Sequence, residues 1–361
     1  MEPKIRFKRF EGEWKKLSFS DILFVNSGKD YKHLENGIIP VYGTGGYMLS
    51  VSESLSDTDA IGIGRKGTID KPQYLKAPFW TVDTLFFLTT KNNDNLDFLY
   101  NLSQNIKWKK YDESTGVPSL SKNNIDKIET HIPNITEQQA IASYFTSLDS
   151  QISTYTSRLA SLKQMKAASL QAMFPQEGET VPKIRFKGFE GEWKKVKVYE
   201  IVGRFRTGKL DANAMVSNGK YHFYTCAKDY FYIDTYAFDE EALLISGNGE
   251  NVGYIHYYKG KFNAYQRTYI LTDFSQNILF VKSYMEAKLK KRINKEKSIG
   301  STPYIRIDTI RDMDITIPES KAEQQAIASY FTSLDHQISL QTQRLEKLKQ
   351  IKATCLDKMF V

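Results

Sequence analysis

The sequence predicts an α+β protein in which two sheet-containing domains are separated by two long helices. Three observations predict this class. A segment at the start of the chain returns near its middle, a helical segment returns at its end, and the stretches between them hold short β-prone runs broken by glycine. A chain of 361 residues is also too long for one ordinary core. The duplication therefore predicts a pseudo-two-fold molecule with two halves of similar plan.

The repeated segments are almost identical. PKIRFKRFEGEWKK, which begins at Pro3, returns as PKIRFKGFEGEWKK at Pro182. EQQAIASYFTSLDSQIS, from Glu137, returns as EQQAIASYFTSLDHQIS from Glu323. Each half of the chain is therefore constant at its two ends and variable between them.

The repeated helical segments have the spacing of a coiled coil. Their apolar residues alternate steps of four and three, and about 38 residues at 1.5 Å each give a rod of about 57 Å, which needs a partner. The other copy is the nearest partner, with polar positions such as Gln341 and Lys352 predicted to fix the register, although a surface helix on its own domain is the alternative. The predicted seam and spacer residues are Ile141, Phe145, Leu148, Ile152, Leu159, Leu162, Ile327, Phe331, Leu334, Ile338, Leu345 and Leu348. We interpret Phe174 to Pro182 as a linker.

The variable segments, Leu17 to Asn134 and Val196 to Glu319, show almost no alignment with each other. Both contain glycine-broken β-prone runs, such as AIGIGRKGTID and ALLISGNGENVGYIHYY, which predict a twisted, irregular sheet. Both also end in a basic stretch that we predict to be helical, NIKWKKYDES or AKLKKRINKEK. A loop, GVPSLSKNNI or GSTPYIRIDTI, follows each stretch. The two domains thus share a plan despite unlike sequences.

Composition restricts the class of partner and the compartment. The formal charge of +8 and the pI near 9.0 favour an anionic partner such as nucleic acid. Cys226 and Cys355 lie outside any CxxC spacing, which argues against a disulfide framework or a zinc site, and the five histidines have no metal-ligand spacing. No signal peptide and no run of about 18 apolar residues is present, so we expect a cytoplasmic protein.

Two glycine-rich loops are candidate contact sites. Gly62, Gly64 and Gly67 match GxGxxG, but no helix is predicted after them, so the dinucleotide-binding context is missing. A structural hairpin and a tight turn that brings backbone amides with Arg65 or Lys66 to a phosphate both remain open. SGNGENVG, at 246–253, carries asparagines that can read base edges.

Basic residues recur before the last loop of each variable segment. A solvated helix face is the usual explanation, but recurrence at matched positions favours contact with DNA phosphates. Tyr265 and Arg267 in NAYQRTY either read bases or pack within a strand. The candidate DNA-contacting residues are Tyr42, Thr44, Arg65, Lys66, Lys107, Lys109, Lys110, Ser119, Asn248, Asn251, Tyr265, Arg267, Lys290, Lys291, Arg292, Lys297, Ser301 and Thr302.

Catalytic motifs are missing. The sequence has no GxxxxGK[ST] phosphate loop, no HExxH, no GxSxG and neither Asn-Pro-Pro-Tyr nor Asp-Pro-Pro-Tyr, so we predict no catalytic residue, no metal ligand and no bound cofactor. A nuclease site assembled in space from acidic residues stays open, as does a coiled-coil scaffold that binds only proteins. Two unlike domains on identical supports favour a reader of a bipartite, non-palindromic DNA site.

The order of these parts resembles the specificity subunit of type I restriction-modification systems over essentially the whole chain. The EQQAIASYF openings of both helices, IPVYGTGGYM with IGRKGTI, and LLISGNGENVGYIHYYKGKFNAYQRTYIL carry the resemblance. It implies two target recognition domains, at 1–134 and 176–319. It also implies two conserved helices that pack as an antiparallel coiled coil, one at 135–175 with the start of a linker and one at 320–361.

The same resemblance implies partners for this chain. They are double-stranded DNA, two adenine-N6 methyltransferase subunits that bind S-adenosylmethionine, and two restriction subunits that use ATP and Mg for translocation and cleavage. The chain itself is then expected to carry no catalysis and to contact no membrane. Its recognition domains are expected to read one half of a split site each.

Overall fold

The computed structural model describes residues 1–296 and 303–361, which divide into two compact units. Unit 1 comprises Met1–Thr156 and Gln343–Val361, and unit 2 comprises Ser157–Thr342. Each unit combines small sheets with helices, which confirms the predicted α+β class. In the described ranges, no helix has both the length and the apolar character that crossing a membrane requires.

Unit 1 contains three sheets and the first long helix begins in it. Its elements are β1 (Lys15–Ser18), α1 (Phe19–Ile22), β2 (Leu23–Ser27), β3 (Asn36–Gly43), β4 (Gly46–Val51), β5 (Ala60–Gly64), β6 (Gln73–Leu75), β7 (Trp80–Thr81), β8 (Leu85–Thr90), α2 (Leu96–Asn105), a 3-10 turn (Trp108–Tyr111), α3 (Lys122–Asp126), β9 (Glu129–Ile132) and α4 (Ile135–Ala172). The strand orders are β1-β9, β2-β8-β5-β6 and β4-β3-β7. Only the pairing of β3 with β7 is parallel among these strands.

Unit 2 contains a small two-stranded sheet and a larger mixed sheet. Its elements are β10 (Lys194–Lys197), α5 (Val198–Ile201), β11 (Val202–Thr207), a 3-10 turn (Ala212–Ala214), β12 (Tyr221–Tyr224), β13 (Phe231–Ile233), β14 (Phe238–Ser246), β15 (Ile255–Ala264), β16 (Thr268–Phe274), α6 (Ile278–Glu296), α7 (Ile307–Arg311), β17 (Asp314–Ile317) and α8 (Lys321–Met359). The strand orders are β10-β17 and β11-β16-β14-β15-β12-β13. Alternate residues of β14 point to opposite faces, so Leu243 and Ile245 join the core that contains α6, whereas Leu244 faces a second cluster with Phe262.

Equivalent contacts begin the domain helix of each unit. The side chain of Asn95 accepts from the amide of Phe98 in α2, and the side chain of Asn277 accepts from the amide of Phe280 in α6. These are N-caps, which satisfy amides that a helix leaves unpaired at its start. A glutamine of the adjoining long helix, Gln138 in unit 1, accepts from the amide of the capping residue. The matched caps make α2 and α6 equivalent elements of two domains that do not align in sequence.

Each long helix has residues in both units. Helix α4 is 38 residues long and helix α8 is 39 residues long. In unit 1, Tyr144 of α4 contacts Cys355 of α8 through Oη and Sγ, 3.6 Å apart, and Asp149 of α4 accepts from Lys352 at 2.6 Å. A later residue of α4 thus meets an earlier residue of α8, so the two segments run antiparallel.

Unit 2 repeats this pairing with the partners exchanged. Ser169 of α4 contacts Tyr330 of α8 at 2.8 Å, and Lys166 donates to Asp335 at 2.6 Å. Lys166 and Asp335 occupy the places in the repeat that Lys352 and Asp149 occupy in unit 1. The constant segments therefore build the same antiparallel contact twice.

The residues expected on the seam lie mostly inside the two cores. Ile141, Phe145 and Leu148 are buried in the core of unit 1 with the sheet residues, and Ile327, Phe331 and Leu334 are buried in the core of unit 2. The remaining seam residues are buried or half-buried, and they are Ile152, Leu159, Leu162, Ile338, Leu345 and Leu348. The first half of each helix is therefore part of the core of its own domain as well as of a helix pair.

The interpretation of Phe174 as the start of a linker needs a correction. Phe174 is fully buried and stacks on Phe331, with ring centroids 5.7 Å apart and an interplanar angle of 17°. Its counterpart Phe360 is buried in unit 1, 5.8 Å from Phe145. The chain leaves the helix after α4 ends, but this aromatic ring belongs to the core of unit 2.

The short constant segments clamp the N-termini of the long helices. In unit 2, Arg185 makes two hydrogen bonds to the buried carboxylate of Glu323, from Nε at 2.7 Å and from Nη2 at 2.8 Å. Arg6 and Glu137 make the same bidentate pair in unit 1. Such paired bonds fix geometry as well as adding energy.

Glu323→Ala should release the clamp of unit 2 alone. Removal of one partner leaves the other charge partly buried, and we expect the free energy of local opening to fall by about 3 kcal/mol. Hydrogen exchange followed by mass spectrometry should show faster exchange in peptides from 182–195, while 3–16 serves as the internal control because its own clamp is intact. If hydrogen exchange became equally faster in both segments, or in neither, Glu323 would not be the clamp of unit 2.

Asp335→Asn tests the charge network that joins the helices of unit 2. Asp335 lies within 3.2 Å of Lys282 and 2.6 Å of Lys166. Burial acts to raise the pKa of Asp335, but the two ammonium groups outweigh it and hold the pKa below its usual range. Because the folded-state pKa is lowered, the stabilisation is present at neutral pH and is lost as the pH falls through that lowered value.

We therefore expect Asp335→Asn to cost about 1 to 2 kcal/mol at pH 7, allowing for a partly exposed side chain, and much less in acid. Denaturant unfolding at several pH values measures this difference. Asp149→Asn is the matched control in unit 1, where Lys352 is the ion-pair partner, and it should cost less. A difference that does not change with pH would contradict the electrostatic role.

Candidate nucleic-acid interface

Two segments of unit 1 meet in a short antiparallel bridge, which we call frame 1 (residues 65–67 and 118–120). Lys66 and Ser119 are the bridge partners. The amide of Gly67 donates to the carbonyl oxygen of Pro118 at 2.8 Å, and the amide of Leu120 donates to that of Arg65 at 2.9 Å. Gly67 has a φ of +97°, a conformation that favours glycine.

Unit 2 contains the same arrangement, which we call frame 2 (residues 247–249 and 303–305). Asn248 and Tyr304 are the bridge partners. The amide of Gly249 donates to Pro303 at 2.9 Å, and the amide of Ile305 donates to Gly247 at 2.8 Å. Gly249 also has a positive φ, of +80°.

A third hydrogen bond ties each frame to the residue immediately before a strand, which is β8 in unit 1 and β16 in unit 2. The amide of Arg65 donates to the carbonyl oxygen of Thr84, and that of Gly247 donates to the carbonyl oxygen of Arg267, both at 2.8 Å. Frame 1 and frame 2 therefore make the same three backbone hydrogen bonds, although their side chains differ. In both frames the bridge partners are a non-hydrogen-bonded pair, the kind in which two side chains lie closest and on one face.

Polar contacts hold other loops beside frame 1. Gln73 donates to the carbonyl oxygen of Gly43 at 2.9 Å and to that of Thr44 at 3.3 Å, which fixes the turn between β3 and β4. A Cβ built on Gly67 would lie 3.7 Å from Thr44 Oγ1, so this hydroxyl adjoins the frame. Arg65 is exposed, and its guanidinium lies 5.7 Å from the centre of the Phe86 ring.

The 3-10 turn of unit 1 is anchored to the same region. Lys109 forms an ion pair with Asp70 at 2.9 Å. The amide of Ser119, with the amide and hydroxyl of Ser114, donates to Asp112, and these bonds lower the pKa of that carboxyl group. The loop that carries Ser119 is thus fixed from its side as well as by the bridge.

The side chains of Tyr269, Asn251 and Cys226 make hydrogen bonds in and around frame 2. The hydroxyl of Tyr269 donates to the carbonyl oxygen of Ile305 at 2.8 Å, and burial raises the pKa of this tyrosine. Asn251 donates to the carbonyl oxygen of Cys226 at 3.2 Å, and Cys226 Sγ lies 3.5 Å from that of Arg267. Arg267, whose carbonyl oxygen accepts from the amide of Gly247, is exposed.

The structure brings some of the sequence-predicted residues together and separates others. Thr44, Arg65, Lys66 and Ser119 gather at frame 1, with Lys109 at its edge. Asn248, Asn251 and Arg267 gather at frame 2, and Tyr265 lies on the chain just before Arg267.

Other candidates have packing roles or lie apart. The half-buried ring of Tyr42 packs edge-on against Tyr47. Lys107 and Lys110 are exposed at the 3-10 turn. The helix predicted for NIKWKKYDES is wrong beyond this one turn, because Trp108 is buried and its Nε1 donates to the carbonyl oxygen of Ser103.

The cations of α6 are partly engaged with the protein. Lys291 forms an ion pair with Glu177 at 3.4 Å, and Arg292 donates to the carbonyl oxygen of Asp312 at 3.0 Å. Lys290 is exposed. Lys297, Ser301 and Thr302 lie outside the described residues.

Sequence reasoning missed Tyr304, which is 56% exposed in frame 2. The available signal was the proline that precedes it. Pro118 and Pro303 stand at the same place in their loops, and aligning them would have paired Ser119 with Tyr304.

Comparison with known proteins identifies the family. The sequence matches the family described as "Type I restriction modification DNA specificity domain" twice, over residues 11–164 and 190–350. The chain belongs to this type I restriction-modification DNA specificity family.

Relatives of this chain agree with the family assignment. The type I restriction enzyme EcoDI specificity subunit of Escherichia coli is 41% identical over 161 residues, which are 44% of this chain and 35% of that protein. The match thus spans about a third of that relative's length. The crystal structure of the S subunit of a type I restriction-modification system from M. genitalium has a TM-score of 0.79 at 17% identity, covering 100% of this chain and 99% of that one.

A second solved structure shares the fold less closely. It comes from work on complex assembly and conformational transition of the type I restriction-modification system, and its TM-score is 0.52 at 13% identity, covering 97% of this chain and 98% of that one. At these identities the two superpositions establish a shared fold.

Gly67→Ala should strain frame 1, because alanine at this positive φ costs about 1 to 2 kcal/mol. We expect faster hydrogen exchange at the amide of Leu120, which donates across the bridge. Gly45→Ala is the matched control, since a Cβ on either glycine meets no clash and Gly45 has no positive φ. If Gly45→Ala exposed the Leu120 amide as much as Gly67→Ala, backbone conformation would not be the constraint.

Proposed function

We propose that this chain is the DNA-sequence specificity subunit of a type I restriction-modification complex. It binds a bipartite, asymmetric site in duplex DNA and reads one half of the site with each recognition domain. It positions adenine-N6 methyltransferase subunits and translocase-nuclease subunits in the bacterial cytoplasm and performs no catalysis itself.

The observation that carries this proposal is the pair of matched frames. Frame 1 and frame 2 make the same three backbone hydrogen bonds, yet present Lys66 with Ser119 in one unit and Asn248 with Tyr304 in the other. A constant support with different polar side chains suits two readers of different sequences. Two unlike readers on one chain favour a site whose halves differ.

The constant helices support identical partners. Gln139, Ser143 and Ser147 are exposed on α4 and line a groove of about 530 Å³ together with Asn95 and Asp97. The repeat places Gln325, Ser329 and Ser333 at the corresponding positions of α8, and these residues are also exposed. Because the same polar surface is present twice, we propose that it binds two copies of the methyltransferase subunit.

Cofactors then belong to the partners in this proposal. The methyltransferase subunits bind S-adenosylmethionine, and two restriction subunits use ATP and Mg. Exposed cations contact DNA phosphates and supply affinity that does not depend on sequence, and they are Arg65, Lys107 and Lys110 in unit 1 and Arg267 and Lys290 in unit 2.

Exchange of residues 17–134 for the corresponding segment of another family member tests the two-reader arrangement. This segment lies within unit 1 and includes frame 1. We expect one half of the methylated sequence to change while the other half stays the same. Mapping of N6-methyladenine in cells that carry the chain with its methyltransferase partner measures both halves at once.

Two controls complete this experiment. Exchange of residues 196–319 should change the other half only, and deletion of the chain should remove the motif. A motif that persists after deletion would overturn the specificity role, and a change in both halves after either exchange would overturn the division between domains.

A further inference from the structure

The bridge in each frame is made by backbone atoms alone. The donors are the amides of Gly67 and Leu120 in frame 1 and of Gly249 and Ile305 in frame 2, and the acceptors are carbonyl oxygens. The side chains of the bridge partners are not needed to hold the loops together. They are therefore free to differ without loss of the frame.

The same side chains have no partner elsewhere in the described part of the chain. Neither Lys66 nor Ser119 uses its side chain in a hydrogen bond or ion pair with another described residue, and the same holds for Asn248 and Tyr304. Lys66 and Tyr304 are exposed, and Ser119 and Asn248 are half-buried. Polar side chains that a fixed loop presents without internal bonds are suited to an external ligand.

The geometry of the bridge also fits a DNA groove. The partners of a non-hydrogen-bonded antiparallel pair have Cα atoms about 4.5 Å apart and side chains on one face. A two-stranded ribbon enters the major groove, where each base pair presents its own set of donors, acceptors and methyl groups. An exposed arginine lies beside each pair, Arg65 in unit 1 and Arg267 in unit 2, at a position suited to the phosphates that border the groove.

We propose that these two side-chain pairs are the specificity-determining residues at one position of each half-site. The Lys66 ammonium group, which only donates, reads the O6 and N7 acceptors of a guanine, with Ser119 beside it. The Asn248 amide, which donates and accepts, reads N6 and N7 of an adenine, and the ring of Tyr304 contacts the methyl group of a neighbouring thymine. This inference rests on the proposed function and assigns the base chemistry of the frames.

The test transplants one pair into the other frame. In the full chain with its methyltransferase partner, Asn248→Lys with Tyr304→Ser gives frame 2 the side chains of frame 1. We expect methylation mapping to show a guanine in place of an adenine in the half-site read by unit 2, with the other half-site and the spacer unchanged. The reverse graft, Lys66→Asn with Ser119→Tyr, should change the other half-site.

A charge-matched control separates reading from general electrostatics. Met215→Lys adds the same charge at an exposed position of unit 2 outside the frame. It should leave the motif unchanged. If Met215→Lys altered the motif in the same way as the graft, the pair would have no special role and the inference would be wrong.

If the double substitution in frame 2 abolishes methylation, the single substitution Asn248→Ser tests whether Asn248 reads a base. Asn248→Ser keeps a small polar side chain and the backbone bridge, and protection of the Ile305 amide from hydrogen exchange reports whether the frame is intact. With the frame intact, we expect discrimination at one base pair to fall by about 5- to 150-fold in binding competition between DNA duplexes. Unchanged discrimination at every position would overturn the inference.

Methylation mapping distinguishes an error about the two side-chain pairs from an error about the specificity role of the chain. A motif that depends on the chain but not on either pair would leave the specificity role in place and move base reading to other residues. A motif that does not depend on the chain would remove the specificity role itself, and with it the basis of the inference.

Discussion

The burial of the phenylalanine at the end of each long helix is the constraint on which the two units depend. Phe360 packs in unit 1 at 5.4 Å from Phe98, and Phe174 packs in unit 2 at 5.8 Å from Phe280. Burial of one such ring stabilises by about 1.5 to 3 kcal/mol, and each also contacts an aromatic residue of the other repeat. Unit 1 is not complete with one contiguous segment, since it requires residues 343–361, whereas unit 2 is the single segment Ser157–Thr342.

This dependence explains why the constant segments tolerate so little change while the sheets between them differ. A constant residue such as Glu323 forms a clamp and a helix start with a buried side chain, so one substitution affects several interactions. The variable segments meet the constant framework through the caps at Asn95 and Asn277 and through the apolar cores that they share with the long helices. Beyond those contacts they are free to add strands, as unit 1 does with β3, β4 and β7.

The sequence predicted the elements that depend on periodicity and repetition. The two long helices follow from their apolar spacing and the two domains from the duplication, whereas the burial of Phe174 was missed because a following proline marks the end of a helix and says nothing of the ring's packing. Thr44, Arg65 and Lys66 were named as candidates because glycine marks sharp turns. Tyr304 was missed because a bridge between distant segments leaves no hydrophobic periodicity, and the one signal in the sequence was the proline that precedes both Tyr304 and Ser119.

The frames separate the requirement for a fixed loop from the requirement for a changeable surface. Gly67 and Gly249 are constrained by positive φ, and the amides and carbonyl oxygens of the bridge are present in any sequence. A substitution at Lys66 or Asn248 removes no internal hydrogen bond, so it should alter stability by no more than about 0.5 kcal/mol, as is usual for surface positions. Under the proposed function, the side chains at these positions can therefore change while the fold stays the same.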